Sequence, residues 1–220
     1  LDIAHSERTV YGINTGFGPL CDTRISKEQI KLLQENILKS HSVGVGPIVP
    51  DLIAKLMLIT KVHALSMGYS GISLEVLERI VFFIHHEIIP EVPSQGSVGA
   101  SGDLAPLAHL FLPIIGLGKV KINGEIMSAA KMHTLHDLAP LPLGAKEGLA
   151  LINGTQFILS YAVLGLSRFY NCLEAADIVG AMSLEGLLGS ISPFTKELHE
   201  LRPFEGSQLV AARMNTLLSE

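Results

Sequence analysis

Residues 94–109 read SQGSVGASGDLAPLAH, and the Ala100-Ser101-Gly102 inside that run can make an electrophile from the backbone itself. Side chains supply nucleophiles, acids and bases, and a protein that needs an electrophile usually borrows a metal or an organic cofactor. Here the amide nitrogen of Gly102 can attack the carbonyl carbon of Ala100 and close a five-membered ring. Loss of water from the ring and from Ser101 then leaves an exocyclic methylene. Glycine suits the attacking position because a Cβ would obstruct so close an approach of backbone to backbone. Serine suits the middle position because its hydroxyl leaves. The plain alternative is a Gly/Ser loop ahead of a helix starting at Asp103. A serine hydrolase elbow is disfavoured, because the position two after Ser101 is Asp103 and not glycine.

Three further constellations could serve such an electrophile. Tyr11 opens YGINTGFG, where Gly12, Gly16 and Gly18 bend the backbone close around something. The segment lacks the Lys-Ser/Thr of a phosphate loop and the strand–helix setting of a dinucleotide fingerprint. A tyrosine works as a base only where positive charge or hydrogen bonds stabilise its phenolate. Ser40-His41 closes the helix predicted over 27–40, where a lone histidine is ordinarily a cation favoured by the helix dipole. Asn153-Gly154-Thr155-Gln156 reads as a break between two apolar helices, with a neutral amide available there. His85-His86-Glu87 and His133-x-x-His136 lack a third and fourth ligand, so no metal site is expected. Ser128-x-x-Lys131 has no Lys-Thr-Gly to complete a penicillin-binding motif, and His109 reads as a satisfied core residue.

Segments 11–18, 33–47, 93–109 and 146–156 together resemble the aromatic amino acid ammonia-lyases, in order and in spacing. The resemblance implies that Ala100, Ser101 and Gly102 cyclise to methylidene-imidazolone (MIO), with no metal or external cofactor. It implies Tyr11 as the base that removes the substrate β-proton, and Asn153 as a ligand of the substrate carboxylate. Gly18, Asp103 and Gln156 would support the site. In that family the residue pair at 40–41 faces the substrate side chain, and Ser40-His41 resembles the enzymes acting on histidine. The physics agrees, because an imidazole offers a donor and an acceptor that a histidine can match, and a site that pairs them discriminates strongly against substrates lacking them. The implied reaction is non-oxidative elimination of ammonia from L-histidine to trans-urocanate. Phenylalanine or tyrosine ammonia-lyase and MIO aminomutase are the alternatives within the family. A folded, non-catalytic piece with an uncyclised loop is the alternative outside it.

The elements that must position these residues are mostly helices. Ser26 with Gln29 makes a capping box, and Ile30, Leu33 and Ile37 then fall on one face through 27–40. Asp51 opens a second helix with Leu52, Leu56, Ile59 and Val62 aligned, and Gly68 stops it. Ser73 caps a third that runs to about Ile88, where Pro90 forbids continuation. Another begins at Asp103, an acid suited to the positive end of a helix. Residues 119–127, KVKINGEIM, alternate around Asn123-Gly124 as a type I′ hairpin. Two or three helices are expected over 144–190 and a last one from about Ser207. The class is therefore mainly α, a single helical region over 1–220, and the resemblance adds the long-helix-bundle (fumarase/aspartase-like) fold.

Composition excludes several roles. A net charge of −5 with dispersed Lys and Arg gives no electrostatic footprint for nucleic acid. Two cysteines, Cys21 and Cys172, make no disulfide framework, and no signal peptide opens the chain, so a cytoplasmic protein is expected. The run 148–167 carries no charge over twenty residues, enough to span a bilayer. The polar run 153–156 would be costly in lipid, so a helix buried in a large bundle is preferred to a membrane segment. The Gly-rich motif so near the start, and an end inside a running helix, suggest the N-terminal part of a longer chain. The family's full-length members are tetramers with shared active sites, so this part alone is expected to be catalytically silent or weak. It is also expected to expose apolar surface on 148–167 and to dimerise or otherwise associate.

Overall fold

The computed structural model describes residues 10, 13–15, 25, 27–99 and 102–219, which form two compact units, Leu1–Ala162 and Val163–Glu220. Tyr11, Gly18, Cys21, Ser26, Ala100 and Ser101 lie outside the described residues, and with them the predicted capping box.

In the first unit, α1 (Lys27–His41) buries Ile30, Ile37 and Leu38 along the expected face, with Gln34 between them. α2 (Asp51–Ser66) ends before Gly68, whose φ of +80° closes the turn. Its buried stripe is Ile53, Ala54, Met57, Leu58, Lys61 and Leu65, whereas Leu52 and Ile59 of the expected stripe are exposed. Apolar residues occupy nearly every side of this helix, so periodicity alone did not select the face that packs on α3. α3 (Leu74–His85) starts at Ser73, whose Oγ accepts from Val76 N at 3.3 Å. It stops three residues before the expected Ile88. Glu87 adopts a left-handed conformation (φ +50°), and Ile88 N donates back to Phe83 O at 2.9 Å, closing the helix ahead of the proline.

Among the described residues, five short strands are interspersed with the helices. β1 (Val45–Ile48) pairs antiparallel with β3 (Pro93–Gln95), and β2 (Ile89–Pro90) pairs with β4 (Lys119–Ile122), which pairs with β5 (Glu125–Ser128). The predicted hairpin is present, with Asn123 (φ +50°) and Gly124 (φ +86°) forming the type I′ turn. The other three strands are two to four residues long, too short to show alternation. Ser128 Oγ accepts from Lys131 N at 3.2 Å and caps α5 (Ala129–Leu135), so the Ser-x-x-Lys spacing is the start of a helix that periodicity did not reveal.

α4 (Leu104–Phe111), α1 and α6 (Glu147–Ile152) pack against one another and form the core beneath the candidate site. α7 (Gln156–Gly186) begins after a break at 153–155. The Glu147–Gly186 stretch is long and apolar enough, by length and composition, to cross a membrane. Its two parts differ. All six residues of α6 are buried, whereas Ile158, Leu159 and Tyr161 at the start of α7 are exposed.

The second unit holds the rest of α7, a short turn at Ser192–Phe194, α8 (Lys196–Glu200) and α9 (Glu205–Leu218). Its buried residues are few, chiefly Ala181, Ala211 and Met214. Asn215 Nδ2 donates to Phe194 O, and Arg213 pairs with Asp177 at 3.4 Å.

Candidate functional site

The break between α6 and α7 meets the loop that leads from β3 into α4, and this junction gathers most of the described candidate residues. Asn153 closes α6 in an extended conformation (φ −89°, ψ 122°), and Gly154 follows with φ +150°. Asp103 N donates to Gly154 O at 2.6 Å, tying the start of α4 to the break. Gly102 is pressed so closely there that a Cβ would lie 2.9 Å from Gly154 N and 3.0 Å from Asn153 Oδ1. No other residue fits without displacing the Asn153-Gly154 segment.

Asp103 is fully buried and is the hub of the junction. Oδ2 accepts from Phe157 N at 2.9 Å and Ile158 N at 3.2 Å, and Oδ1 accepts from Ser97 Oγ at 2.6 Å. The sequence places Asp103 at the start of α4, but its side chain makes no bond to that helix. It satisfies the orphan amides at the start of α7 instead, where the helix dipole also favours a negative charge. Periodicity cannot foresee a cap that reaches across more than fifty residues of chain. Gln156 is buried nearby, and its Oε1 has no hydrogen-bond partner among the described residues. A buried acceptor left unpaired costs free energy unless a donor arrives from a ligand or solvent.

Two residues at the junction escaped the sequence reading. Ser97 is a small polar residue in a Gly/Ser loop, with nothing in the pattern to distinguish it. Lys61 left a signal: a single cation within the α2 stripe formed by Met57, Leu58 and Leu65. Its Nζ donates to Asn153 O at 2.6 Å, and burial pulls its pKa from 10.5 down to about 7.

Ser40 and His41 stand at the end of α1 and make no described contact with the Gly102–Asn153 cluster. Ser40 Oγ donates to Ile37 O at 3.3 Å, and His41 Nδ1 donates to the same carbonyl at 2.8 Å. A carbonyl only accepts, so the Nδ1 proton is fixed, and a neutral His41 ring presents Nε2 as an acceptor. The chain beyond His41 is joined by two links to the elements on either side of residues 96–103. β1 pairs with β3, and Gly44 N donates to His109 Nε2 at 3.0 Å. Burial pushes the His109 pKa down, in keeping with a ring that accepts at Nε2. Of the Tyr11 motif, the described part shows Asn14 buried, with its Oδ1 accepting from Val10 N at 2.8 Å.

Three histidines of the two candidate metal motifs have local contacts. His86 stacks on Phe82 with His136 edge-on to both, His133 Nε2 bonds Pro113 O at 2.7 Å, and Glu87 pairs with Lys55. Among the described residues no three potential metal ligands converge.

Comparison with known proteins agrees with this architecture. The model of the aromatic amino acid lyase family matches residues 1–220. Histidine ammonia-lyase of Bradyrhizobium diazoefficiens is 45% identical over 215 residues, 98% of this chain and 41% of the relative. Among solved structures, tyrosine aminomutase from Streptomyces globisporus superposes with a TM-score of 0.91 at 35% identity, covering 99% of this chain and 41% of that one. Histidine ammonia-lyase from Trypanosoma cruzi superposes at 0.90 and 38% identity, covering 98% and 42%. The chain thus spans about two fifths of the length of the relatives it matches.

Proposed function

The chain belongs to the aromatic amino acid lyase family, and on that premise we propose that it is the electrophile-bearing part of an ammonia-lyase that converts L-histidine to trans-urocanate and ammonia. One observation carries the reading. At Gly102 the backbone is pressed against Asn153 and Gly154 where no side chain fits, which supports glycine as the residue whose nitrogen closes the ring. This cradle fits MIO, which Ala100, Ser101 and Gly102 would form; when present, MIO supplies an electrophilic methylene that activates the substrate for loss of its amine. No metal or external cofactor is needed.

The remaining roles belong to this chain's own side chains. Tyr11 removes the β-proton, and the electron pair so released forms the double bond as the amine leaves. Asn153 donates its amide to the substrate carboxylate. His41, its ring fixed through Nδ1 to Ile37 O, presents Nε2 to the N–H of the substrate imidazole. Ser40 shapes the same end of α1. Asp103 holds the loop against α7, and Gly18 and Gln156 support the surrounding backbone.

Histidine is favoured over phenylalanine or tyrosine by the imidazole-matching ring of His41 and by identities near 45% to proteins named histidine ammonia-lyase. The likeness to an aminomutase structure keeps isomerisation to a β-amino acid as the second reading. The active protein is proposed to be a cytoplasmic homotetramer with shared active sites, without nucleic-acid or membrane partners. The 220-residue chain by itself is proposed to be inactive or weak and to dimerise or otherwise associate.

Intact mass tests the chemistry. The wild type should weigh two waters less than its sequence, and Ser101→Ala should not; an unshifted wild type overturns the reading. The complete gene product carrying these residues should release urocanate from histidine. Turnover of phenylalanine without turnover of histidine would remove His41 from the substrate site.

A further inference from the structure

Lys61 occupies a position where a cation is unfavourable. It is 2% exposed within the apolar stripe of α2, and among the described residues no carboxylate pairs with it. Burying a charge without a counter-charge is costly, and the depressed pKa, about 7, records that cost. A methionine would occupy the same stripe without it. Sequence features that oppose stability concentrate where function requires them.

The hydrogen bond it makes shows what Lys61 acts on. Its Nζ donates to Asn153 O at 2.6 Å. That carbonyl and the nitrogen of Gly154 belong to one peptide group, which is planar with C=O and N–H on opposite sides. The nitrogen end is the atom that approaches the Gly102 Cβ position to 2.9 Å. The next carbonyl, Gly154 O, accepts from Asp103 N at 2.6 Å. Two successive carbonyls at the break are therefore held from two sides, one by Lys61 of α2 and one by Asp103, the residue ahead of α4.

We propose that Lys61 is a positioning residue for the electrophile-forming loop, holding the Asn153–Gly154 peptide so that Gly154 N and the Asn153 amide stand against Gly102. The inference rests on the proposed role of Gly102 in ring closure. Lys61 touches neither substrate nor ring and acts through the peptide it holds. Either protonation state of the amine can donate to the carbonyl, and the ammonium does so more strongly.

The test is Lys61→Met in the complete gene product, with Lys61→Arg as the donor-retaining control. The Met variant should fold, with a Tm at pH 7 no lower than wild type. Its loss of two waters, followed by intact mass and by the ultraviolet absorbance of the ring, should slow by about tenfold to a hundredfold. Histidine KM should rise, because Asn153 is no longer held, and Lys61→Arg should recover part of both effects. A folded Met variant with wild-type ring formation and KM overturns the proposal. So does a Met variant that fails to fold, since Lys61 would then be a stability element. If wild type itself never loses the waters, the reading of Gly102 fails first, a different result from a wild type and a Met variant that both mature normally.

Discussion

Adding one carbon at Gly102 would drive it into Gly154 N and Asn153 Oδ1. Gly102→Ala should therefore lower stability by about 1–3 kcal/mol, the usual cost of overpacking, and leave the mass unshifted. Thermal unfolding and intact mass read the two effects, and an alanine variant that still loses two waters would refute the close-packing argument. Lys61 makes a prediction of pH dependence. In the unfolded chain it keeps its proton up to about 10.5, whereas in the folded chain it releases it near 7. Between those values the unfolded state binds more protons, so stability rises with pH. At about 1.4 kcal/mol for each pH unit separating the two states, wild type should gain a few kcal/mol on Lys61→Met between pH 7 and pH 10. Denaturation midpoints of both proteins across that range measure the difference, and a constant gap would contradict it. The candidate residues were proposed from four segments taken together, because Ala-Ser-Gly, Tyr11, His41 and Asn153 each read alone as a loop, a helix end or a helix break. The support from Lys61 was not legible. Lys61 and Asn153 are separated by more than ninety residues, and only the fold brings a cation in α2 to a carbonyl at the end of α6.

The same contrast between local and distant signals holds for the elements. Ser73, Gly68 and Asn123-Gly124 mark boundaries through bonds within a few residues, and the helix starts and the turn stand where these signals put them. The end of α3 came early because Glu87 took the left-handed position, a choice that proline spacing does not encode. Asp103 is the strongest case of a distant boundary, since it begins α4 in sequence but caps α7 in space. Asp103→Asn replaces one acceptor oxygen by an NH2 group facing either the α7 amides or the Ser97 hydroxyl. Loss of a charge-assisted cap and a buried mismatch together should cost about 2–3 kcal/mol. Amide hydrogen exchange should show the loss first at Phe157 and Ile158. Uniform loss across α4, with α7 unchanged, would mean that the carboxylate caps α4 after all.

At the scale of the whole molecule, the long helix α7 carries a surface that the described chain leaves uncovered. Leu159, Val163, Leu166, Tyr170 and Leu173 are all exposed and are spaced alternately four and three residues apart. That spacing is the seam by which one helix packs along another, and a row of large apolar side chains left in water is unfavourable. Neighbouring exposed residues, among them Phe169 and Ile158, widen the apolar surface. Among the described residues the expectation of a helix buried in a bundle is met for α6, whereas the apolar seam of α7 has no described cover. On the proposed self-association, a second copy of the chain would supply a covering helix. Light scattering coupled to size exclusion should give a mass above 23.6 kDa that falls on dilution. Leu166→Glu with Leu173→Glu places two charges in the seam and should yield the monomer with helix content unchanged by circular dichroism. The Gly102 junction lies away from these positions in sequence and draws its described bonds from residues 61, 97, 103 and 153–158. The charged variant should thus still lose its two waters if ring closure is a property of the junction alone. A variant that becomes monomeric and also ceases to cyclise would show instead that packing along α7 compresses the loop, and would make assembly a condition for forming the electrophile.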